Sequence, residues 1–229
     1  MCGRYSLHTN PEVIALYFKL GLIPEIKPRY NIAPQQGNPR SYVPVIRFNK
    51  EGEPEVVMMQ WWLLPFWSKE PRIRYTTFNA KVETVATAPS FRVPFKRQRC
   101  LIPASGWYEW QELPAGKLPW YMHPANAELA MLCGLWDRWE KDGEVIESCS
   151  IIVGAANNAL RPIHDRMPFV LPSDRYEPWL ARALTDPDRV MKLLEPVPDD
   201  AIKCHRVSTK VNNTRNDAPS LIEPIESVT

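Results

Sequence analysis

The second residue of the chain is a cysteine, in the opening Met1-Cys2-Gly3-Arg4-Tyr5. Removal of Met1 would leave Cys2 with a free α-amine and a thiol on adjacent carbons. Such an amine condenses with an aldehyde to a Schiff base, and the thiol then closes on the same carbon to give a five-membered thiazolidine. An α-amine has a reference pKa of about 7.7–8.0 and a thiol of about 8.5, so both are partly nucleophilic near neutral pH. The pair predicts aldehyde capture; the alternative is a small second residue without a chemical role.

Glu109 is a second candidate, because it lies among aromatic residues in Gly106-Trp107-Tyr108-Glu109-Trp110. On a strand, alternate residues share a face, so Glu109 would lie beside Trp107. A carboxylate next to an indole is partly desolvated, which raises its pKa toward values useful for acid–base catalysis. The alternative is an edge-strand glutamate that reaches solvent.

Three further polar residues stand in apolar or turn contexts. His164, in Ile163-His164-Asp165-Arg166-Met167-Pro168, could exchange a proton near neutral pH. Asn79 could orient an amine through its side-chain carbonyl, and Arg4 could hold a phosphate close to the chain start. Each also has a structural alternative: a hydrogen-bonded histidine, a turn asparagine and a solvated arginine.

The secondary-structure signals predict many short strands and few helices. β-branched and aromatic runs between turn residues indicate strands, and Asn10-Pro11-Glu12 is typical of a helix start, with Gly21 as its stop. The predicted extended segments are 3–8, 29–34, 42–48, 56–63, 100–110, 120–123, 129–139, 146–155, 167–171 and 202–207; the predicted helical ones are 13–20, 83–95 (broken by prolines), 157–163, 176–184 and 188–194. This order favours an α+β fold: a single domain with a curved, mostly antiparallel, barrel-like sheet and short flanking helices.

Composition narrows the class of protein. The chain has 229 residues, of which 45% are apolar and 24% charged, as in an ordinary globular domain. No apolar run approaches the 18 or more residues of a membrane span, and no secretory signal is recognisable. The five cysteines lack framework spacing, so we expect reduced thiols and a cytoplasmic protein.

Charge is unevenly distributed along the chain. Residues 69–99 contain eight basic and two acidic residues, whereas the whole chain has a net charge of only +2. Such a concentration suits a polyanionic partner, although a solvated face is the alternative. We find no zinc-binding spacing, glycine-rich phosphate loop or Gly-x-Ser-x-Gly elbow, and we expect neither a metal nor a cofactor. A Cys–His peptidase remains formally open.

Five motifs in this order resemble the SRAP family, the SOS-response-associated peptidase domain proteins that process abasic sites in DNA. They are Met1-Cys2-Gly3-Arg4-Tyr5, Arg29-Tyr30-Asn31-Ile32-Ala33-Pro34, Asn79-Ala80-Lys81-Val82-Glu83-Thr84, Gly106-Trp107-Tyr108-Glu109-Trp110 and Ile163-His164-Asp165-Arg166-Met167-Pro168. The resemblance implies one SRAP-like domain over residues 1–229, with a core of about 2–211 and a C-terminal tail.

The resemblance also implies roles for individual residues. Cys2 matches the cross-linking residue, Glu109 the general acid/base, Asn79 the residue that positions the terminus, and His164 the partner of the opened sugar oxygen. The positions implied to contact DNA are Arg4, Asn31, Pro34, Trp61, Trp62, Trp67, Lys81 and Arg166.

Two positions depart from the family pattern. Trp62 stands where glycine is common, which leaves open which tryptophan stacks on DNA. Lys81 stands where arginine is common, and it keeps the charge but loses the bidentate fork.

The function expected from this resemblance is covalent sensing of abasic sites in single-stranded DNA by a monomer, with a side lyase activity. The alternatives are a cysteine-type peptidase, perhaps limited to removing its own first residue, and a non-catalytic single-stranded DNA-binding domain.

Overall fold

The computed structural model of the chain describes residues 2–21 and 23–225. Its strands fall into two sheets, and its helices are short. The strands are β1 (Tyr5–Leu7), β2 (Arg29–Ile32), β3 (Tyr42–Phe48), β4 (Pro54–Trp61), β5 (Asn79–Lys81), β6 (Arg99–Ala104), β7 (Gly106–Leu113), β8 (Gly116–Pro124), β9 (Ala130–Lys141), β10 (Glu144–Ala155), β11 (Arg166–Pro168) and β12 (Ile202–Arg206). The α-helices are α1 (Pro11–Phe18), α2 (Arg92–Arg97), α3 (Tyr176–Leu180) and α4 (Pro187–Met191).

The larger sheet closes on itself. Strands β10, β4, β3, β6 and β9 pair in that order, and β9 pairs again with β10. Every neighbouring pair in this ring is antiparallel except β4 with β10. Closure removes exposed strand edges and encloses an apolar interior. The predicted α+β fold with a mostly antiparallel, barrel-like core is therefore confirmed.

The last residues of β10 extend beyond the ring and carry two short strands. On one side β5 continues in parallel from β4, with Ile151 opposite Asn79. On the other side β11 pairs antiparallel, with Ala155 opposite Arg166. The sequence did not predict β5, because three residues without apolar alternation give no strand signal.

The second sheet has the order β12-β8-β7-β1-β2 and is antiparallel throughout. The predicted single strand over 100–110 is in fact two strands in different sheets, divided at Ser105. The Ser105 hydroxyl accepts hydrogen bonds from the backbone N–H groups of His8 and Thr9. A Cβ on Gly106 would lie 2.4 Å from the Met122 carbonyl oxygen, so only glycine fits where the chain enters the second sheet.

The helices follow the sequence signals at their starts better than at their ends. Asn10 caps α1 as predicted, its side chain accepting from the Glu12 N–H. The helix ends at Lys19, which adopts the left-handed conformation (φ 52°), so the predicted stop at Gly21 is wrong by two residues. The predicted helical stretch over 83–95 is mostly turns, with only α2 at its end, and 157–163 is a series of turns.

A buried arginine ties two helices to the barrel. Arg99, at the start of β6, is 3% exposed, and burial lowers its pKa to about 10. Its guanidinium donates to five backbone carbonyls, those of Phe95, Lys96, Trp179, Ala181 and Leu184. These carbonyls lie at the ends of α2 and α3 and in the loop that follows, where helix dipoles are negative. Among described residues no carboxylate lies within ion-pair distance of Arg99, so its charge is stabilised by these peptide dipoles and by the Trp179 ring, whose centre is 5.7 Å from the guanidinium carbon.

Several of the described residues after Val211 pack against the second sheet. The Asn31 amide donates to the carbonyls of Val211, Asn213 and Asn216, and the Asp217 carboxylate accepts from the Tyr30 N–H. Leu221 is 2% exposed and joins a small apolar cluster with Tyr108 and Tyr121. No helix formed by the described residues is long and apolar enough to cross a membrane.

Replacing Arg99 with lysine should destabilise the fold. One ammonium group cannot reach five carbonyls at the ends of two helices, so several buried acceptors lose their donor. We expect Arg99→Lys to lower the free energy of unfolding by about 3 kcal/mol, measured by urea denaturation. The exposed Arg97→Lys is the matched control and should stay within about 0.5 kcal/mol of the parent. Equal effects of the two substitutions would show that the hydrogen bonds from Arg99 to the five carbonyls do not contribute to stability.

Candidate functional site

Cys2 is brought to Glu109 by the pairing of β1 with β7. Tyr5 lies opposite Trp107, and the Arg4 carbonyl accepts from the Tyr108 N–H at 2.9 Å, which extends the pairing toward the chain start. The Glu109 carboxylate is close enough to raise the pKa of the Cys2 thiol, although burial is the larger cause. Cys2 is completely buried, and its thiol is therefore protonated at neutral pH.

Asn79 holds the backbone of Cys2 from the opposite side. It begins β5, next to β10, and its Nδ2 donates to the Cys2 carbonyl at 2.8 Å. Its Oδ1 is buried and has no hydrogen-bond partner among the described residues. The amide thus fixes the position of Cys2 with one atom and keeps an acceptor available with the other.

Glu109 has the environment that the sequence predicts. It is 3% exposed, which excludes the alternative of a solvated edge-strand glutamate. Burial raises the pKa of its carboxyl to about 7. Near neutral pH, both protonation states are therefore populated, as an acid–base group requires.

His164 lies beside Glu109 and has a defined orientation. Its Nε2 is 3.8 Å from Glu109 Oε2. Its Nδ1 lies 3.0 Å from the Arg166 backbone nitrogen, 3.2 Å from the Arg166 carbonyl oxygen and 3.1 Å from Asp165 Oδ1, and these contacts fix the orientation of the ring. Burial is the main cause that lowers the pKa of the imidazole, which keeps it largely neutral at pH 7. The arrangement therefore places two groups that can exchange protons, Glu109 and His164, beside each other.

Two clefts are lined by the neighbours of Cys2. The main cleft, of about 830 Å³, is lined by Glu109 and His164 together with the cationic side chains of Arg4, Lys117 and Arg161. A second cleft of about 320 Å³ is lined by Asn79, Lys81 and the rings of Phe78 and Phe91. Since Cys2 contacts Asn79 and lies next to Glu109, it is placed between the two.

Two of the three predicted phosphate-holding residues line these clefts. Arg4 Nη1 donates to Asn31 Oδ1 and to the Val211 carbonyl, both at 2.7 Å, and its guanidinium lies 5.5 Å from the centre of the Trp110 ring. Lys81 is exposed on β5. Arg166, on β11, forms an ion pair with Glu83. The structure thus places Arg4 at the main cleft and Lys81 at the second.

The three tryptophans singled out in the sequence have different environments. Trp61 is completely buried in the barrel and its Nε1 donates to the Phe78 carbonyl, so the expectation that it meets bases is wrong. Trp62 is partly buried and its ring centroid is 5.2 Å from that of Phe78. Trp67 is 46% exposed. Only Trp62 and Trp67 remain available as stacking surfaces.

Asn31 and Pro34 also differ from each other. Asn31 is 2% exposed, and its amide is engaged by Arg4 and by three backbone carbonyls. Its side chain is therefore not exposed for a direct contact with DNA. Instead, it holds Arg4 and the C-terminal segment in place. Pro34 is partly exposed and lines a different cleft, of about 410 Å³.

Sequence reasoning missed several side chains of this surface. Lys117 and Arg161 line the main cleft, and Phe66 and Tyr75 are exposed aromatics within or beside the basic stretch. The run of basic and aromatic residues was visible, but which of these reach the surface depends on tertiary packing. Among the described residues no group of three or more His, Cys, Asp or Glu side chains is placed to hold a metal ion.

Comparison with known proteins finds relatives that match most of the chain. Residues 1–214 match the family model described as SOS response associated peptidase (SRAP). The chain is 35% identical over 228 residues to the abasic site processing protein YoqW of Bacillus subtilis, covering 97% of this chain and 99% of that protein. It is 34% identical to the abasic site processing protein HMCES of Gallus gallus, covering 87% of this chain and 67% of that protein.

A solved structure agrees with the fold. The crystal structure of a protein from Bacteroides thetaiotaomicron superposes with a TM-score of 0.83 at 26% identity, covering 98% of this chain and all of that one. The family match spans nearly the whole chain and includes all five sequence motifs. The chain belongs to the SOS response associated peptidase family.

Proposed function

We propose that this protein processes abasic sites in single-stranded DNA by capturing them covalently through Cys2 after Met1 is removed. The observation that carries the proposal is the placement of Cys2 between Asn79 and the Glu109–His164 pair. The names of the relatives, abasic site processing proteins, support the choice of substrate.

The chemistry follows from an opened abasic sugar, which presents an aldehyde at C1′. The Cys2 amine adds to that carbon to give a carbinolamine, and loss of water gives a Schiff base. The thiol then adds to the same carbon, and its proton goes to the nitrogen. The product is a neutral thiazolidine, formed with the net release of one water molecule. If the thiol fails to close the ring, the Schiff base is open to β-elimination, which accounts for a side lyase activity.

Glu109 and His164 divide the proton transfers. With a pKa of about 7, the Glu109 carboxylate can take a proton from the attacking amine and return it to the departing hydroxyl. His164 Nε2 lies 3.8 Å from Glu109 Oε2, and in the tautomer that carries its proton there it serves the sugar ring oxygen as the ring opens. His164 then acts from the neutral form that its burial favours, whereas Glu109, with a pKa near 7, is available both as carboxylate and as acid.

Met1 acts as a block on this chemistry. While Met1 is attached, the Cys2 nitrogen is an amide and cannot form a Schiff base. Once the Cys2 nitrogen is a free amine, Asn79 Oδ1 can accept a hydrogen bond from it, which orients the lone pair of the amine toward the aldehyde. The buried, protonated thiol suits this second-step role better than that of a general peptidase nucleophile, which must be a thiolate at the outset.

Single-stranded DNA fits the surface around the site. The basic stretch attracts phosphates, and the partly exposed rings of Trp62, Trp67 and Phe66 offer stacking surfaces worth about 1–3 kcal/mol per base. An unpaired strand also avoids the cost of flipping a nucleotide out of a duplex. One damaged strand requires one site, so we infer that the monomer is the active form.

The Cys2→Ser variant tests the thiazolidine. The processed variant keeps an α-amine but lacks the thiol, so it should form a borohydride-trappable Schiff base and no heat-stable adduct with an abasic strand. Denaturing gels read both products, after intact mass has shown that residue 1 is absent. Cys204→Ser, a half-buried cysteine on β12, is the matched control and should retain the adduct. A heat-stable adduct in the Cys2→Ser variant would rule the thiazolidine out.

The Glu109→Gln variant tests the acid–base assignment. In the parent, the single-turnover rate of adduct formation should rise with pH through about 7, as the buried carboxyl loses its proton and becomes a base. The glutamine variant should lose this rise and be slower by roughly 10²- to 10⁴-fold. Glu144→Gln, at an exposed position on β10, controls for the charge change. An unaltered pH profile in the Glu109 variant would remove this carboxyl from the chemistry.

A further inference from the structure

A third cleft lies outside the site described so far. It has a volume of about 410 Å³ and forms where the end of β2, the turn at 39–41 and residues 214–215 meet. Three arginines line it: Arg29, Arg40 and Arg215. We refer to it as the arginine cleft.

The charges of this cleft are poorly neutralised. Arg29 donates to the backbone carbonyls of Tyr42 and Arg40, and among described residues no carboxylate forms an ion pair with it. Arg40 Nη2 is 4.0 Å from Asp217 Oδ2, the one carboxylate of the described chain at ion-pair distance from these arginines. The other oxygen of Asp217 already accepts from the Tyr30 N–H. Three cations thus face one partly engaged carboxylate, and an incoming anion would displace no strong partner.

Another basic cleft in the molecule shows the contrast. It has about 490 Å³ and is lined by Arg47, Arg138 and Arg182, among others. There Arg47 is bound by two carboxylates, Glu55 and Glu147, each at 2.7 Å. Arg138 is also paired, with Glu140. Two of the three arginines of that cleft are therefore held at normal ion-pair distance by carboxylates, whereas in the arginine cleft only Arg40 has a carboxylate within reach, at 4.0 Å.

The arginine cleft is connected to the main cleft by one hydrogen bond. Arg4, which lines the main cleft, donates to Asn31, which lines the arginine cleft. Its rim is also joined to the basic stretch, because the Gln36 amide and the Ile73 backbone exchange two hydrogen bonds of 2.8 Å. This clamp brings the Arg72 guanidinium against Gly37. Hydrogen bonds therefore link the arginine cleft both to a residue that lines the main cleft and to the basic stretch.

We propose that the arginine cleft binds backbone phosphates of the same DNA strand, several nucleotides away from the damaged one. Guanidinium groups match phosphate oxygens in charge and geometry, and they read no base identity. The cleft would thus lengthen the footprint on the strand and hold it in register while the chemistry proceeds at Cys2. This inference rests on the proposed function for the identity of the strand.

The Arg40→Gln/Arg215→Gln double variant tests the proposal. Both side chains are exposed, whereas Arg29 is kept because its bonds to backbone carbonyls hold the chain after β2. Noncovalent affinity is measured by fluorescence anisotropy on undamaged strands of about 4 and about 16 nucleotides, over a range of salt concentrations. For the long strand we expect a loss of roughly tenfold in affinity and a salt slope smaller by about 1.4, for two phosphates at about 0.7 each. The advantage of the long strand over the short one should largely vanish.

The Arg138→Gln/Arg182→Gln double variant is the matched control, since it removes the same charge from the other basic cleft. It should leave the salt slope and the length dependence as in the parent. Equal losses of affinity in both double variants would show that the effect depends only on net charge. No loss of affinity in either variant would show that the arginine cleft does not bind the strand. A loss seen only with duplex DNA would overturn the assignment to a single strand.

The undamaged strands separate this test from the chemistry at Cys2. Failure of adduct formation would contradict the proposed covalent function, but the dependence of noncovalent affinity on strand length could still be measured. Normal adduct formation together with an unchanged length dependence would sink only the arginine cleft.

Discussion

The hydrogen bond from Asn79 Nδ2 to the Cys2 carbonyl is the contact on which the candidate site depends. Asn79 belongs to the barrel sheet and Cys2 precedes the first strand of the other sheet, so this bond joins the two sheets where the chain begins. The other site residues are positioned relative to Cys2 as well. The pairing of β1 with β7 positions Glu109, and the contact with Glu109 positions His164. A chain terminus, ordinarily the least ordered part of a domain, is here held from both sides.

Strand β10 supplies the rigidity that this contact requires. Its first half closes the barrel, and its last residues carry β5 on one edge and β11 on the other. Asn79 and Arg166 are therefore positioned by one strand, although 87 residues separate them in the sequence. A displacement of β10 would move Asn79 away from Cys2 and the turn containing His164 away from Glu109 together. Sites built on such paired strands keep their geometry better than sites on free loops.

Much of the fold could be predicted from the sequence, and the predictions that were wrong have physical causes. Alternating and aromatic runs gave nearly every strand, and residue type with local context was enough to select Cys2, Glu109 and His164 as candidates, because neither depends on distant contacts. Trp61 could not be separated from Trp62 and Trp67, since all three are aromatic and only barrel closure decides which is enclosed. The role of Asn31 was equally hidden, because its partners lie 180 or more residues away in the sequence. The division of one predicted strand at Ser105 depends on the close approach of Met122 to Gly106, which no local pattern encodes.

The burial that makes Glu109 useful also costs stability. Its carboxyl has a pKa of about 7 in the folded protein against an ordinary 4.5, so the native state holds a proton that the unfolded chain releases. Below about pH 4.5 both states are protonated and the group is neutral to folding; above about pH 7 both are ionised and the fold carries a buried carboxylate. The difference corresponds to about 3 kcal/mol, lost progressively as the pH rises between those values. A residue serving only the fold would relieve this cost by becoming glutamine, which fills the same volume without charge. The retention of a carboxylate here, 3% exposed beside a neutral imidazole, is understandable if a proton must leave and return at that place.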